Sequence, residues 1–326
     1  MSFDPEQWLR DHLGGPVDRI DPLSGGLVNQ VFKVVCPDRV LVLKHAAPHL
    51  ATNPEIDLPI SRMDVEVEAL KILGELELPN GVHWPEVLVH DRPQSTFLMS
   101  FVQGRGLAEI LADEDYVSRL KGHGRTLGGW LGTLHARSSV SERREEFAGR
   151  IDNTAIQKVR SEVQYRGLAA MLDDPRFDEP AEWVASRFSG CAGECMILGD
   201  LWPASLLLNG DSWGVIDLEF AHWGFPEQDL AHLLAHLRMW ALCSENSAPV
   251  EEFAAELTDA YFEVFSWQAE NFKAANIHFG FEILARAIGP FRSGYLFENA
   301  SLADIKTAKA MAERAIVEGI GCFKVS

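Results

Sequence analysis

The sequence predicts an α+β fold of two lobes, a small antiparallel-sheet lobe followed by a large helical one. Three observations carry that expectation. β-Branched runs separated by turn residues fill the opening third of the chain. Helical periodicity takes over after Gly104 and Gly106. A single hairpin signal, Asn209-Gly210 between apolar runs, interrupts the helices. With 326 residues the chain exceeds one compact core. The natural boundary lies near Gln103-Gly104, so that residues 1–103 and 104–326 form the two parts, joined by a hinge at about 100–104.

In chain order, residues 5–13 read as a short amphipathic helix with Pro5 at its start and Trp8, Leu9 and Leu13 inward. Val31–Val35 and Val40–Lys44 read as strands joined by Pro37-Asp38, and a Pro- and Asn-rich loop follows over 46–60. A helix over 61–76 places Met63, Val67, Leu70 and Leu73 on one stripe, and Val87–Val89 and Thr96–Val102 complete the strands. Residues 107–137, 155–190 and 250–320 are helical, the last broken at Gly289-Pro290. The hairpin arms are Ser205–Leu208 and Trp213–Asp217.

The formal net charge of −19 opposes binding to nucleic acid or an anionic membrane, which need basic surface, while leaving a cationic substrate open. Five dispersed cysteines, with Cys191 and Cys195 close but without further zinc-type partners, fit reduced thiols rather than a disulfide framework. The N-terminus lacks a signal-like apolar stretch, and no apolar run is of membrane-spanning length. The expectation is a soluble, cytoplasmic monomer or homodimer whose partner is a small molecule.

Phosphoryl transfer asks a protein to neutralise phosphate charge, hold metal and position an acceptor hydroxyl. Ser24, Gly25, Gly26 and Asn29 lie in a stretch whose glycines would let backbone approach a phosphate; a plain turn is the competing reading. The chain has no G-x-x-x-x-G-K-[ST] loop. Lys44 shares a strand face with Val40 and Val42, so its charge needs a partner unless it reaches solvent, and Glu66 on the next helix is the candidate. Gly199-Asp200 followed by a hairpin ending at Asp217 brings two carboxylates to one end of that hairpin. Asp200 suits a base that accepts or orients a hydroxyl proton. Asp217, with Ser205 and Glu219, offers hard oxygens to Mg²⁺.

The run Gly199-Asp200-Leu201-Trp202-Pro203, Asp217-x-Glu219, Gly224 and Asp229-Leu230-Ala231 resembles the aminoglycoside phosphotransferase and choline kinase superfamily. Leu127-Gly128-x-x-Leu131-Gly132-x-Leu134-His135 looks like that family's helix before the catalytic loop. Leu23–Asn29 and Leu43–His49 look closest to methylthioribose kinases and fungal 4-hydroxytryptamine kinases. The resemblance implies a protein-kinase-like fold and an ATP- and Mg-dependent enzyme acting on an amino alcohol, a hydroxyindole amine or a sugar. It implies Asp200 as catalytic base, Ser205, Asp217 and Glu219 at the metal, and Lys44 with Glu66 at the phosphates. Ser100, Phe101 and Val102 would receive adenine. Leu198 stands where the family has His, and Ser205 where it has Asn.

For the acceptor, Trp202, Trp223 and Arg286 are the candidates, with Phe225, Trp240 and Phe291 as further aromatics; helix packing is the competing role for each. Arg286 stands alone where methylthioribose kinases carry paired arginines. The alternatives are a nucleotide-binding pseudokinase serving as an interaction module, and a hydrolase with paired carboxylates. The second accounts for neither Lys44 nor the glycine loop.

Overall fold

Strand-forming runs separated by tight turns build the first layer. In the computed structural model, which describes residues 3–23, 29–50, 53–188, 193–289, 300–321 and 323, helix α1 (Pro5–His12) precedes strands β1 (Arg19–Pro22), β2 (Asn29–Val35) and β3 (Val40–Ala46). A two-stranded pair, β4 (His49–Leu50) and β5 (Asn53–Asp57), leads to helix α2 (Arg62–Glu75). Strands β6 (Val82–His83), β7 (Val87–Asp91) and β8 (Thr96–Ser100) follow. The main sheet is antiparallel, in the order β1-β2-β3-β8-β7.

Side-chain alternation along β3 assigns each face of that sheet. Leu41 and Leu43 join Trp8, Leu9, Val34 and Leu98 in a small core under α1. Val42 and Ala46 join Phe97, Met99 and the stripe Met63, Val67, Leu70 and Leu73 of α2 in the main core. Lys44 lies on this second face, 3% exposed, so its charge sits between sheet and helix.

The helical part begins after strand β9 (Arg105–Gly106) with α3 (Leu107–Leu111), α4 (Glu114–Val117), α5 (Gly124–Ser138) and α6 (Ser141–Phe147). Helix α7 (Thr154–Arg160) runs through a π-helical turn (Ser161–Arg166) into α8 (Gly167–Leu172), and α9 (Asp178–Arg187) follows. Strands β10 (Cys195–Ile197), β11 (Leu206–Asn209), β12 (Ser212–Val215) and β13 (His222–Gly224) interrupt the helices. Helices α10 (Glu227–Cys243), α11 (Ala248–Val264), α12 (Ala269–Ala287) and α13 (Leu302–Glu318) complete the described chain. The β11–β12 hairpin forms as expected, flanked by β9 and, in parallel, by β6. The hairpin is thereby fastened to the chain on either side of the β7–β8 pair.

Several elements depart from the sequence expectation. The 46–60 loop contains the β4–β5 pair, because Pro and Asn signalled the turns and not the short strands beside them. Strand β8 stops at Ser100 rather than Val102. Helix α10 gave no stripe to read, since thirteen of its seventeen residues are buried and a helix covered all round has no amphipathic period. Strands β10 and β13, of three residues each, are too short for an alternation signal.

The glycine-rich motif of α5 has a packing explanation. Gly124, Gly128 and Gly132 recur every four residues and face α11, where a Cβ on Gly128 would stand 2.0 Å from the Leu257 carbonyl oxygen. Gly129, on the opposite side, has nothing within 4 Å of such an atom. Gly128→Ala is therefore expected to cost about 1–3 kcal/mol by urea unfolding through forced separation of α5 and α11. Gly129→Ala is expected to be neutral or stabilising by about 0.5–1 kcal/mol. Equal midpoints for the two variants would contradict this packing.

Candidate active site

Strand β3, the start of α2 and the chain after β12 meet at one point. Lys44 donates to Glu66 at 2.7 Å and also bonds Asp217. Arg62, 0% exposed, donates to Glu219 at 2.8 Å, to Asn29 Oδ1 at 2.7 Å and to the carbonyls of Ala47 and Pro59. Asn29 donates in turn to Glu219 at 2.8 Å. Burial disfavours the Lys44 ammonium, but Asp217, Glu66 and Glu219 outweigh it and raise its pKa. Glu66 is raised by burial, with Asp217 and Glu219 adding to it and Lys44 opposing. Glu219 is raised for the same first reason. Three carboxylates thus surround two cations.

Asp217 is the member of this cluster that opens to solvent. It follows β12 in the left-handed backbone region, φ 66°, and keeps 42% of its side chain exposed where it lines a cleft of about 470 Å³. The same cleft is lined by Lys44, by Ser100, Phe101 and Val102, and by Asp200. Both aspartates singled out in the sequence therefore share one cavity with the lysine.

The loop bearing Asp200 is held through its backbone. Asp229, at the start of α10 and fully buried, accepts the amides of Leu198 and Gly199, each at 2.8 Å, and contacts His135 of α5 at 3.3 Å. Gly199 takes φ 78°, and a Cβ there would sit 2.1 Å from the Phe220 carbonyl oxygen, so only glycine fits.

Helix α7 supplies an unanticipated polar stripe. Asn153 donates to the carbonyls of Glu219 and Ala221, at 2.8 and 3.0 Å, and Gln157 to that of Phe220 at 3.0 Å. Arg160 donates to the Gly199 carbonyl and, at 2.7 Å, to Asp200 Oδ1. Spaced four and three residues apart, these side chains lie on one helical face and grip the Asp200 and Asp217 segments together.

This geometry has counterparts in known proteins. Residues 19–272 match the sequence profile of the phosphotransferase enzyme family. The chain belongs to that family. It is thus a phosphotransferase of the small-molecule kinase type, acting on a hydroxyl group. It is 23% identical to 4-hydroxytryptamine kinase of Psilocybe cyanescens over 274 residues, covering 72% of this chain and 73% of the other. To methylthioribose kinase of Bacillus cereus it is 24% identical over 260 residues, covering 74% and 65%. Among solved structures, an amicoumacin kinase in complex with AMP-PNP and Ca²⁺ superposes with a TM-score of 0.61 at 14% identity, covering 99% of this chain and 96% of that one. Macrolide 2′-phosphotransferase of Brachybacterium faecium gives 0.53 at 18% identity, covering 95% and 96%. The fold is the protein-kinase-like one expected.

Not every residue singled out in this phosphotransferase reaches the cleft. Ser205 is buried, its hydroxyl accepting the Trp202 amide at 3.2 Å and donating to the Trp202 carbonyl at 2.8 Å, so it closes a turn. Glu219 does line the cleft, with its carboxylate held by Arg62 and Asn29. Trp223 is buried in β13, its indole donating to the Gly193 carbonyl at 2.8 Å, and it lies outside the cleft lining. Phe225 carries the Arg187 guanidinium at 3.6 Å, and Trp240 donates to the Leu111 carbonyl; neither lines the cleft. Trp202 and Arg286 do line it. Ser24, Gly25, Gly26, Cys191 and Phe291 lie outside the described residues.

Among the described residues no three His, Cys, Asp or Glu side chains gather as a metal site. The donor set nonetheless fits magnesium in a kinase, which keeps waters and needs one or two carboxylates beside the nucleotide phosphates. Asp217 is open to the cleft, with 42% of its side chain exposed.

Arg160 and Arg62 are the functional residues that sequence reasoning missed. Arg62 lies one turn before Glu66 on the α2 face already assigned inward, and that spacing was the available signal. Arg160 offered none, because its partner is forty residues away. If Arg160 positions Asp200, Arg160→Gln should lower kcat by roughly 10- to 100-fold while the KM for ATP stays put, and Arg160→Lys should recover part of the loss. Parallel loss of nucleotide affinity in both variants would indicate a general structural role instead.

Proposed function

We propose that this phosphotransferase transfers the terminal phosphoryl group of ATP, with Mg²⁺, to an alcohol hydroxyl of a small molecule. The observation that carries this is the shared cleft: Asp200 and Asp217 line the cavity that also contains Lys44, itself bonded to Glu66. Adenine is received along Ser100–Val102 at the end of β8, which we propose as the hinge between an ATP-binding part over residues 1–103 and a catalytic part beyond it. Lys44, oriented by Glu66, contacts the phosphates. Asp217 holds magnesium, which supplies charge neutralisation on the phosphates when bound. Glu219 and Asn29 serve this centre indirectly, by fixing Arg62 and the backbone beside Asp217.

Asp200, fixed by Arg160, accepts the acceptor hydroxyl's proton or hydrogen bond and aims its oxygen at the phosphorus. The nucleotide and magnesium reading is supported by relatives of this fold solved with ADP and with AMP-PNP and Ca²⁺. The named relatives act on a hydroxyindole amine and a sugar, both hydroxylated small molecules. A cytoplasmic setting agrees with such substrates, and none of the described helices is long and apolar enough to cross a membrane.

ADP release with a panel of hydroxylated amines and sugars tests the reaction. Asp200→Ala should lower turnover roughly 10²- to 10⁴-fold with a true acceptor, and an unchanged rate would remove it from the mechanism. Asp217→Ala should abolish magnesium-dependent nucleotide binding by calorimetry. Intact Mg-ATP affinity in that variant would overturn the metal assignment.

A further inference from the structure

The acceptor end of the cleft differs from its nucleotide end in charge. Among the described lining residues beyond Asp217 and Glu219, it holds Asp200, Arg160 and Arg286. Glu109, the remaining acidic residue of the lining, stands on α3 with its side chain 71% exposed and Arg105 at 3.9 Å, so it belongs to the solvent rim. Asp200 is paired with Arg160 at 2.7 Å. Behind the wall lies Glu282, 2% exposed, which accepts from Arg286 Nε and Nη2, each at 2.8 Å, from His236 at 2.9 Å and from Gln164. Burial alone would raise the Glu282 pKa, but Arg286, His232 and His236 override it and hold it well below the ordinary range. Glu282 is therefore ionised, and its charge is committed to Arg286. Among the described residues, two carboxylates and two guanidiniums pair off at this end.

The walls are apolar and aromatic. Leu58, Ile156, Val159 and Phe220 pack together along one side, and Val163 continues it. The Arg160 guanidinium lies 4.5 Å from the Phe220 ring centroid and that of Arg286 lies 5.5 Å from Trp202, so each cation already rests on a ring. An ammonium group entering here would displace one of these cations or sit beside both. Like charges so placed disfavour one another. An uncharged alcohol meets only the exposed part of Asp200, 26% of its side chain, and apolar surface.

Resting on the kinase reading, we propose that the acceptor is an uncharged alcohol with a largely apolar body, and that the site selects against ammonium-bearing acceptors. The chain's net charge of −19 draws cations toward the surface, but the described carboxylates at this end of the cleft are already paired with guanidiniums.

The test uses one phenylalkyl alcohol carrying a terminal carboxamide or ammonium group, with binding measured by Trp fluorescence and calorimetry in Mg-ADP and turnover by ADP release in Mg-ATP. The carboxamide is expected to bind, and where turned over to react, about tenfold or more better than the ammonium form. An ammonium form that binds equally or better overturns the proposal, as does a carboxamide that fails to bind at millimolar concentration. Absence of ADP release with either compound would count against the kinase reading, while the binding order still decides this one. Arg286→Gln releases the Glu282 charge and should shift the binding ratio toward the ammonium form by about tenfold. An unchanged ratio in a variant that melts cooperatively overturns the role given to Glu282, and the wild-type series stands if that variant does not fold.

Discussion

The buried ion cluster between sheet and helices is the constraint on which the rest depends. Lys44 projects from the one face of β3 that α2 covers, and a lone ammonium there would not be tolerated. Glu66 from α2 and Asp217 from the hairpin answer it, while Arg62 and Glu219 form a second pair one step away. Removing one partner of such a pair typically costs about 3–5 kcal/mol, because the other charge is stranded. The cluster therefore fixes how the nucleotide-facing sheet sits over the aspartate-bearing loops.

A second set of bonds holds the loop at position 198, where leucine stands in place of histidine. The loop before Asp200 is anchored by its amides, both taken by Asp229, and by the Gly199 carbonyl, taken by Arg160 and Gln228. The Leu198 side chain, 3% exposed, needs only to fill core. His135 reaches Asp229 from α5 and is bonded to Tyr261 on its other nitrogen at 2.8 Å, so support comes from beneath the loop. At position 205 the serine hydroxyl is occupied by the Trp202 amide and carbonyl, so it closes the turn beneath the cleft.

Much of this architecture is legible in the amino-acid sequence. The strand face of Lys44, the stripe of α2, the Asn-Gly hairpin and the two aspartates around it follow from period, turn chemistry and the cost of buried charge. These are local signals, and together they locate the cleft. What stays hidden depends on distance along the chain or on symmetry of burial. Arg160 meets Asp200 across forty residues, and α10 is covered on every side. Trp223 is misassigned by sequence because an aromatic ring near a catalytic motif reads alike whether it lines a pocket or plugs a two-stranded sheet. Only packing separates those cases, as it does for Ser205.

The wide turn at Ser161–Arg166 has an evolutionary consequence. A π-helical turn holds one residue more than the α-helical path it replaces, so the chain before it and the chain after it are phased independently. Arg160, just upstream, answers to the catalytic loop, whereas Val163 and Gln164, within it, face the acceptor. Loss of a single residue would restore the regular helix and change the facing of residues in and after the turn by roughly 100° relative to Arg160, while Ile156 and Val159 keep their place. New acceptors can then be reached by changing the length of one turn, with no replacement among the groups that carry out phosphoryl transfer.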